Sequence, residues 1–219
     1  MSTAIQERTE PGKISYVAPS ESYWILEGVK HRGENQTYRV FEQMTPPGTQ
    51  DDLIEKYGLQ IPNSQLVWAL TERDYELRNS SPNEAEQLRN FLKQGFRKYP
   101  NTSSRIIYTS QGEDKVIHNV GTSDEYPLYA NVVGVDGLIK DIPDKKVLES
   151  ILGTYDVEKI NEVSQWVNGT DSHIWRLNSK PKQEDTRVVG FGAVDVWLDF
   201  DCGRGLSSED PAFRVERIK

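Results

Sequence analysis

Close to the C-terminal end, "GFGAVDVWLDFDCGRG" (residues 190–205) sets Asp195, Trp197, Asp199 and Asp201 at every second position. Residues two apart share one face of a strand, so this spacing gathers three carboxylates and an indole on one side. Two chemistries fit that face. Carboxylates on one strand can share a hard divalent cation, which would make Asp195, Asp199 and Asp201 the centre of a metal-dependent hydrolase or transferase. Alternatively the face recognises a ligand, because amphipathic aromatics amid polar groups are what recognition surfaces favour. The other register, Val194, Val196, Leu198, Phe200 and Cys202, then points into a core. The alternation predicts Asp195, Asp199 and Asp201 largely exposed, with Trp197 beside them or covered by a loop. Burying the three unpaired would cost on the order of several kcal/mol each, comparable with a whole net stability. Arg187 and Arg204 are the nearby cations, enough for two pairs.

Other candidate groups read more plainly. Gly190-Phe191-Gly192 resembles the start of a dinucleotide loop, but the third small position is Asp195 and a strand follows where a helix is needed. His31, His118 and His173 are far apart in sequence, and "KVIHNV" and "DSHIW" read as settings for packing or surface imidazoles. Asp171 and His173 have the types of an acid–base pair, without a nucleophile motif to accompany them. Cys202, the only cysteine, excludes an internal disulfide and reads as a buried structural thiol. No cofactor is expected.

These groups need a scaffold, and 219 residues allow one large domain or two small ones. A net charge of −8 argues against a nucleic-acid partner, which needs a basic patch. No apolar run approaches membrane-helix length, so no membrane insertion is expected, and the polar start "MSTAIQERTE" shows no signal peptide. Localisation stays open: surface display would require a carrier or a virus particle.

The pattern predicts an α+β chain with a flexible tail at 1–12, an N-terminal segment of strands and amphipathic helices at 13–104, and a C-terminal part at 105–219. Strands are expected at "KISYVA", "SYWILEGV", "TYRVFEQM" and "QLVWAL", with a short helix in "TPPGTQDDLIEKYGL". "SSPNEAEQLRNFLKQGFRKYP" is the clearest helix. Ser81 and Glu84 have capping-box spacing, Pro82 takes the first helical position, and Ala85, Leu88, Phe91, Leu92 and Phe96 form one face. "RIIYT" and "KVIHNV" read as a hairpin, as do "LYANVVGV" and "GLIKDI" around Asp136-Gly137. Helices in "DKKVLESILG" and "DVEKINEVSQWV" lead to "SHIWRLN", one long strand over 187–202, and a closing strand "AFRVERI".

Four stretches in this order, "HIWRLNSKP", "RVVGFGA", "LDFDCGRG" and "PAFRVERI", resemble the C-terminal end of variable proteins of diversity-generating retroelements. That family has a C-type-lectin-type fold of the formylglycine-generating-enzyme subclass. Arg187-Val188 and Phe213-Arg214-Val215 match the two ends of its mutagenised segment, and "HIWRL" resembles the Trp-Ile-Gly-Leu-type strand of the fold, with Arg176 in place of a small residue. Ala212 stands where the family often has Gly, and a single cysteine cannot supply the paired site of the formylglycine-generating enzymes. The resemblance implies a C-type-lectin-like C-terminal half, with 105–219 as a ligand-binding domain, and a non-enzymatic display protein for varied protein or cell-surface ligands. It implies ligand contacts at Gly190, Gly192, Val194, Asp195, Trp197, Asp199, Asp201, Gly203, Arg204 and Leu206.

Overall fold

The computed structural model describes residues 12–17, 21–142 and 144–218, so most of the expected N-terminal tail lies outside the described residues. Strands β1 (Ile14–Val17), β2 (Tyr23–His31) and β3 (Glu34–Phe41) form an antiparallel meander. The turn between β2 and β3 is tighter than "KHRGENQ" suggests: Arg32 and Gly33, both at positive φ, complete it alone. A short helix α1 (Gln50–Tyr57) follows, begun by the Thr49 side chain, which accepts the Asp52 N–H.

"QLVWAL" is a correction: it belongs to helix α2 (Ser64–Leu77), not to a strand. The Asn63 side chain caps it by accepting the Leu66 N–H at 2.8 Å. Because α2 packs against β2 and several helices, residues 64–71 are buried all round. A helix without a wet face shows no 3.6-residue alternation, so a short apolar run in it mimics a buried strand. Helix α3 (Pro82–Phe96) forms as expected with Pro82 in its first turn, and Ala85, Leu88, Leu92 and Phe96 are buried. The capping box does not form, since the Ser81 side chain makes no cap hydrogen bond.

Strands β4 (Asn101–Tyr108), β5 (Asp114–His118) and β6 (Tyr126–Ala130) form a second meander. The expected hairpin around Asp136-Gly137 is absent. After β6 the buried Asp114 carboxylate accepts the Val132 and Val133 N–H groups and draws the chain out of the sheet. The two-residue β7 (Gly137–Leu138) instead pairs with β8 (Ser172–Trp175). Between them lie α4 (Lys145–Leu152) and α5 (Val157–Asn168), both ended by a left-handed glycine, Gly153 and Gly169. The chain closes with β9 (Asp185–Ala193), β10 (Leu198–Arg204) and β11 (Val215–Ile218).

The strands make two sheets, ordered β1-β2-β3-β11 and β6-β5-β4-β9-β10-β8-β7. All pairings are antiparallel except β8 with β10. The expected boundary at 104/105 falls inside β4, and β11 returns from the C-terminal end to complete the N-terminal sheet. One apolar cluster runs through both sheets, joining Trp24, Val40, Trp68, Phe96, Phe191 and Phe200. Among the described residues no helix is long and apolar enough to cross a membrane.

Candidate functional site

The region expected as one strand over 187–202 is a hairpin. β9 and β10 are joined by Val194–Trp197, closed by the Val194 N–H donating to the Trp197 carbonyl at 3.1 Å. The alternation therefore holds only from Leu198 onward, where Leu198, Phe200 and Cys202 are buried in the core. Val196 is corrected from core to surface: it sits on the turn and is 61% exposed. Val194 is half-buried and Asp195 is exposed, 3.5 Å from the Arg97 guanidinium.

Asp199 is the second correction. Expected in solvent, it is only 5% exposed. Its neighbours across the sheet explain this. In the parallel register Asp199 lies beside His173, and Asp201 beside Trp175. The Trp175 Nε1–H donates to Asp199 Oδ1 at 3.0 Å. Burial pushes the Asp199 acid up to about 7, with Asp201 adding repulsion and the two indoles opposing. The Trp175 donor and partial protonation thus offset the desolvation that was expected to keep this carboxylate outside.

The imidazole of His173 stacks on Trp197, with centroids 4.7 Å apart and planes 20° apart, and its Nδ1 lies 3.1 Å from Asp199 Oδ1 without hydrogen-bonding alignment. Burial lowers its basicity, so this ring is neutral near pH 7. Asp171 does not pair with it, being held by Lys140 and Gln165. Asp201 is half-buried: Oδ1 accepts the Gly203 N–H at 2.9 Å and Oδ2 lies 3.4 Å from Arg204 Nε. Arg187 pairs with Asp185 instead of with this face.

Gly190 and Gly192 on β9 stand opposite Asp201 and Asp199 and are covered by side chains. A Cβ at Gly190 would come 2.6 Å from Arg204 Cζ, and one at Gly192 would come 2.8 Å from the Tyr99 ring. Arg204 is itself buried, its guanidinium donating to the carbonyls of Tyr99 and Phe191. Gly203 is half-buried, and Leu206 is exposed beyond the end of β10.

Tyr99, Trp175, Arg176, Asp199, Asp201 and Gly203 line an open cleft of about 270 Å³. Tyr99 and Arg176 were not expected in the site. Tyr99 lies between α3 and β4 with φ of 53°, outside any periodic segment. Trp175 carried a signal, since it shares the period-2 face of β8 with His173. The remaining histidines are structural: His118 bonds Ser104 Oγ and the Ser150 carbonyl, and His31 contacts the Tyr38 hydroxyl. Cys202 is fully buried, which pushes its thiol pKa up and leaves it unreactive.

Chemically, the face offers exposed aromatic surface and two carboxylates, with no Ser, Thr, Cys or Lys among the residues that line the cleft. Asp195 stands on the turn while Asp199 lies under Trp175. Among the described residues no three His, Cys, Asp or Glu side chains come together as a metal site. Searches against protein-family models, curated proteins and solved structures return no match for this chain.

Proposed function

We propose that the chain is a non-enzymatic display protein that binds protein or cell-surface ligands through the hairpin β9–β10 and its flanks. In this reading the C-terminal half is a C-type-lectin-type scaffold, and the coding segment for 187–215 is the part a retroelement diversifies. The observation that carries the reading is the division of labour along one hairpin. Leu198, Phe200 and Cys202 anchor it in the core, while Asp195 and Val196 at the tip are exposed and Leu206 beyond the far end is partly so. Trp175, 44% exposed, lies between those ends on the neighbouring strand. An aromatic held open in this way by a buried hydrogen bond is suited to contact and costs little entropy to order on binding.

The alternative of a metal-dependent hydrolase or transferase at Asp195, Asp199 and Asp201 draws less support, because the turn separates Asp195 from the other two. A library randomised at Asp195, Val196, Leu206 and Ser207, displayed and selected on unrelated protein targets, tests the proposal. It should yield folded binders to several targets. A library that loses folding at these positions, or yields no binder to any target, contradicts it.

A further inference from the structure

The cleft beside the hairpin has a chemistry of its own. Tyr99 and Trp175 form its sides, and Asp199 and Asp201 contribute its carboxylates. Both aromatic residues are anchored to the scaffold. Trp175 is tethered through Nε1 to Asp199. Tyr99 lies over Gly192, where no side chain competes for the space, and its carbonyl is bound by Arg204. The two arginines nearby do not leave their donors to the cleft. Arg176 donates from Nε and Nη2 to the Val135 carbonyl and from Nη1 toward the Val132 carbonyl. Arg204 spends its donors on Tyr99, Phe191, Asn101, Asp201 and Asp210. What remains without a cation partner among the described residues is the Asp199 carboxylate, beside the Tyr99 and Trp175 rings, since Asp201 is engaged by Arg204.

We propose that this cleft receives a cationic side chain of a protein ligand, an ammonium or guanidinium group seated between Tyr99 and Trp175 over Asp199 and Asp201. The inference rests on reading this face as a binding surface, and it adds the chemistry that one subsite selects. Aromatic faces attract cations through the ring quadrupole, and a partly desolvated carboxylate strengthens the pair. Burial also opposes ionisation of Asp199, so a cation above it favours the charged form and binding releases a proton. The charged and titratable groups around Asp199 are His173 on β8, Asp201 on β10, and Tyr99 and Arg176 at the cleft wall, with the neutral indoles of Trp175 and Trp197 packed beside them. His173 is neutral near pH 7, which leaves Asp199 as the group that sets the pH response.

The test is an NMR titration of the ¹⁵N-labelled protein, following the Trp175 indole N–H with n-butylammonium and with guanidinium. Butanol and butyrate serve as controls. The expected result is a saturable shift with both cations, in the millimolar range, and none with the controls. Affinity should rise about tenfold from pH 6 to pH 8 as Asp199 ionises. In D199N, which keeps an acceptor for Trp175, affinity should fall roughly tenfold with the melting temperature little changed. If D199N does not fold, Y99A removes one exposed wall and should weaken binding instead. Equal shifts with butanol, preference for butyrate, no saturable shift, or unchanged affinity in a folded variant would each overturn the proposal. The two readings fail separately: binders from the hairpin library without a cation response sink the cleft alone, and a cation response without binders sinks the display reading alone.

Discussion

Asp199 and Asp74 are both buried carboxylates, and their surroundings separate a site residue from a structural burden. Asp199 has an indole donor and lines an open cleft, whereas Asp74 in α2 is fully buried with neither oxygen hydrogen-bonded among the described residues. Burial pushes the Asp74 acid up to about 9, only partly opposed by Arg89. The folded value thus lies above an unfolded value of roughly 3.9, so the stability of the acid form is fully present below pH ~4 and is lost as pH rises toward ~9. D74N, which mimics the neutral acid and breaks no hydrogen bond, should raise stability at pH 8 by about 1–3 kcal/mol and flatten the pH dependence between 5 and 9. Urea denaturation across that range checks it, and a D74N protein less stable than the parent at pH 8 would contradict it.

At the scale of the element, β9 and β10 are shaped by what covers their glycines. A methyl at Gly190 presses on the guanidinium of Arg204, which is buried and fully engaged, so the neighbour cannot yield without breaking hydrogen bonds. A methyl at Gly192 presses on the Tyr99 ring, which is 41% exposed and can swing outward. G190A should therefore cost about 1–3 kcal/mol and G192A clearly less, read from denaturation midpoints. Equal losses would mean that Tyr99 is as rigidly placed as Arg204. The same elements show what the sequence could convey. The amphipathic helices α3, α4 and α5 and the anchoring run Leu198, Phe200 and Cys202 follow from period alone. The turn at Val194–Trp197 does not, because no Gly, Pro or Asn marks it and alternation continues across it. That hidden turn is why Val196 lies at the surface, whereas Asp199 is buried by its neighbours across the sheet.

At the scale of the whole molecule, the N- and C-terminal parts are not separable. β11 completes the first sheet, β4 joins β5 to β9 in the second, and one apolar cluster spans both. Such long-range pairing leaves no local trace, so the α+β class was legible while the sheet order was not, and the boundary expected at 104/105 falls inside β4. The cleft was half legible for the same reason. Its carboxylates lie in one stretch, but Tyr99 arrives from the end of α3 and Trp175 from the strand paired with β10. The single interwoven core lets exposed positions on one hairpin vary while the rest holds the fold.

That separation of load from contact is the central claim, and a complete substitution scan of residues 187–215 tests it most directly. Each variant is scored for folding by protease resistance and for binding to a target selected from the hairpin library. The account predicts that Leu198, Phe200, Cys202 and Phe213 fail folding with nearly any polar replacement. Asp195, Val196, Leu206 and Ser207 should accept almost every side chain for folding while changing binding strongly. Folding losses at those four positions equal to the losses at the buried four, or binding indifferent to what they carry, would contradict it.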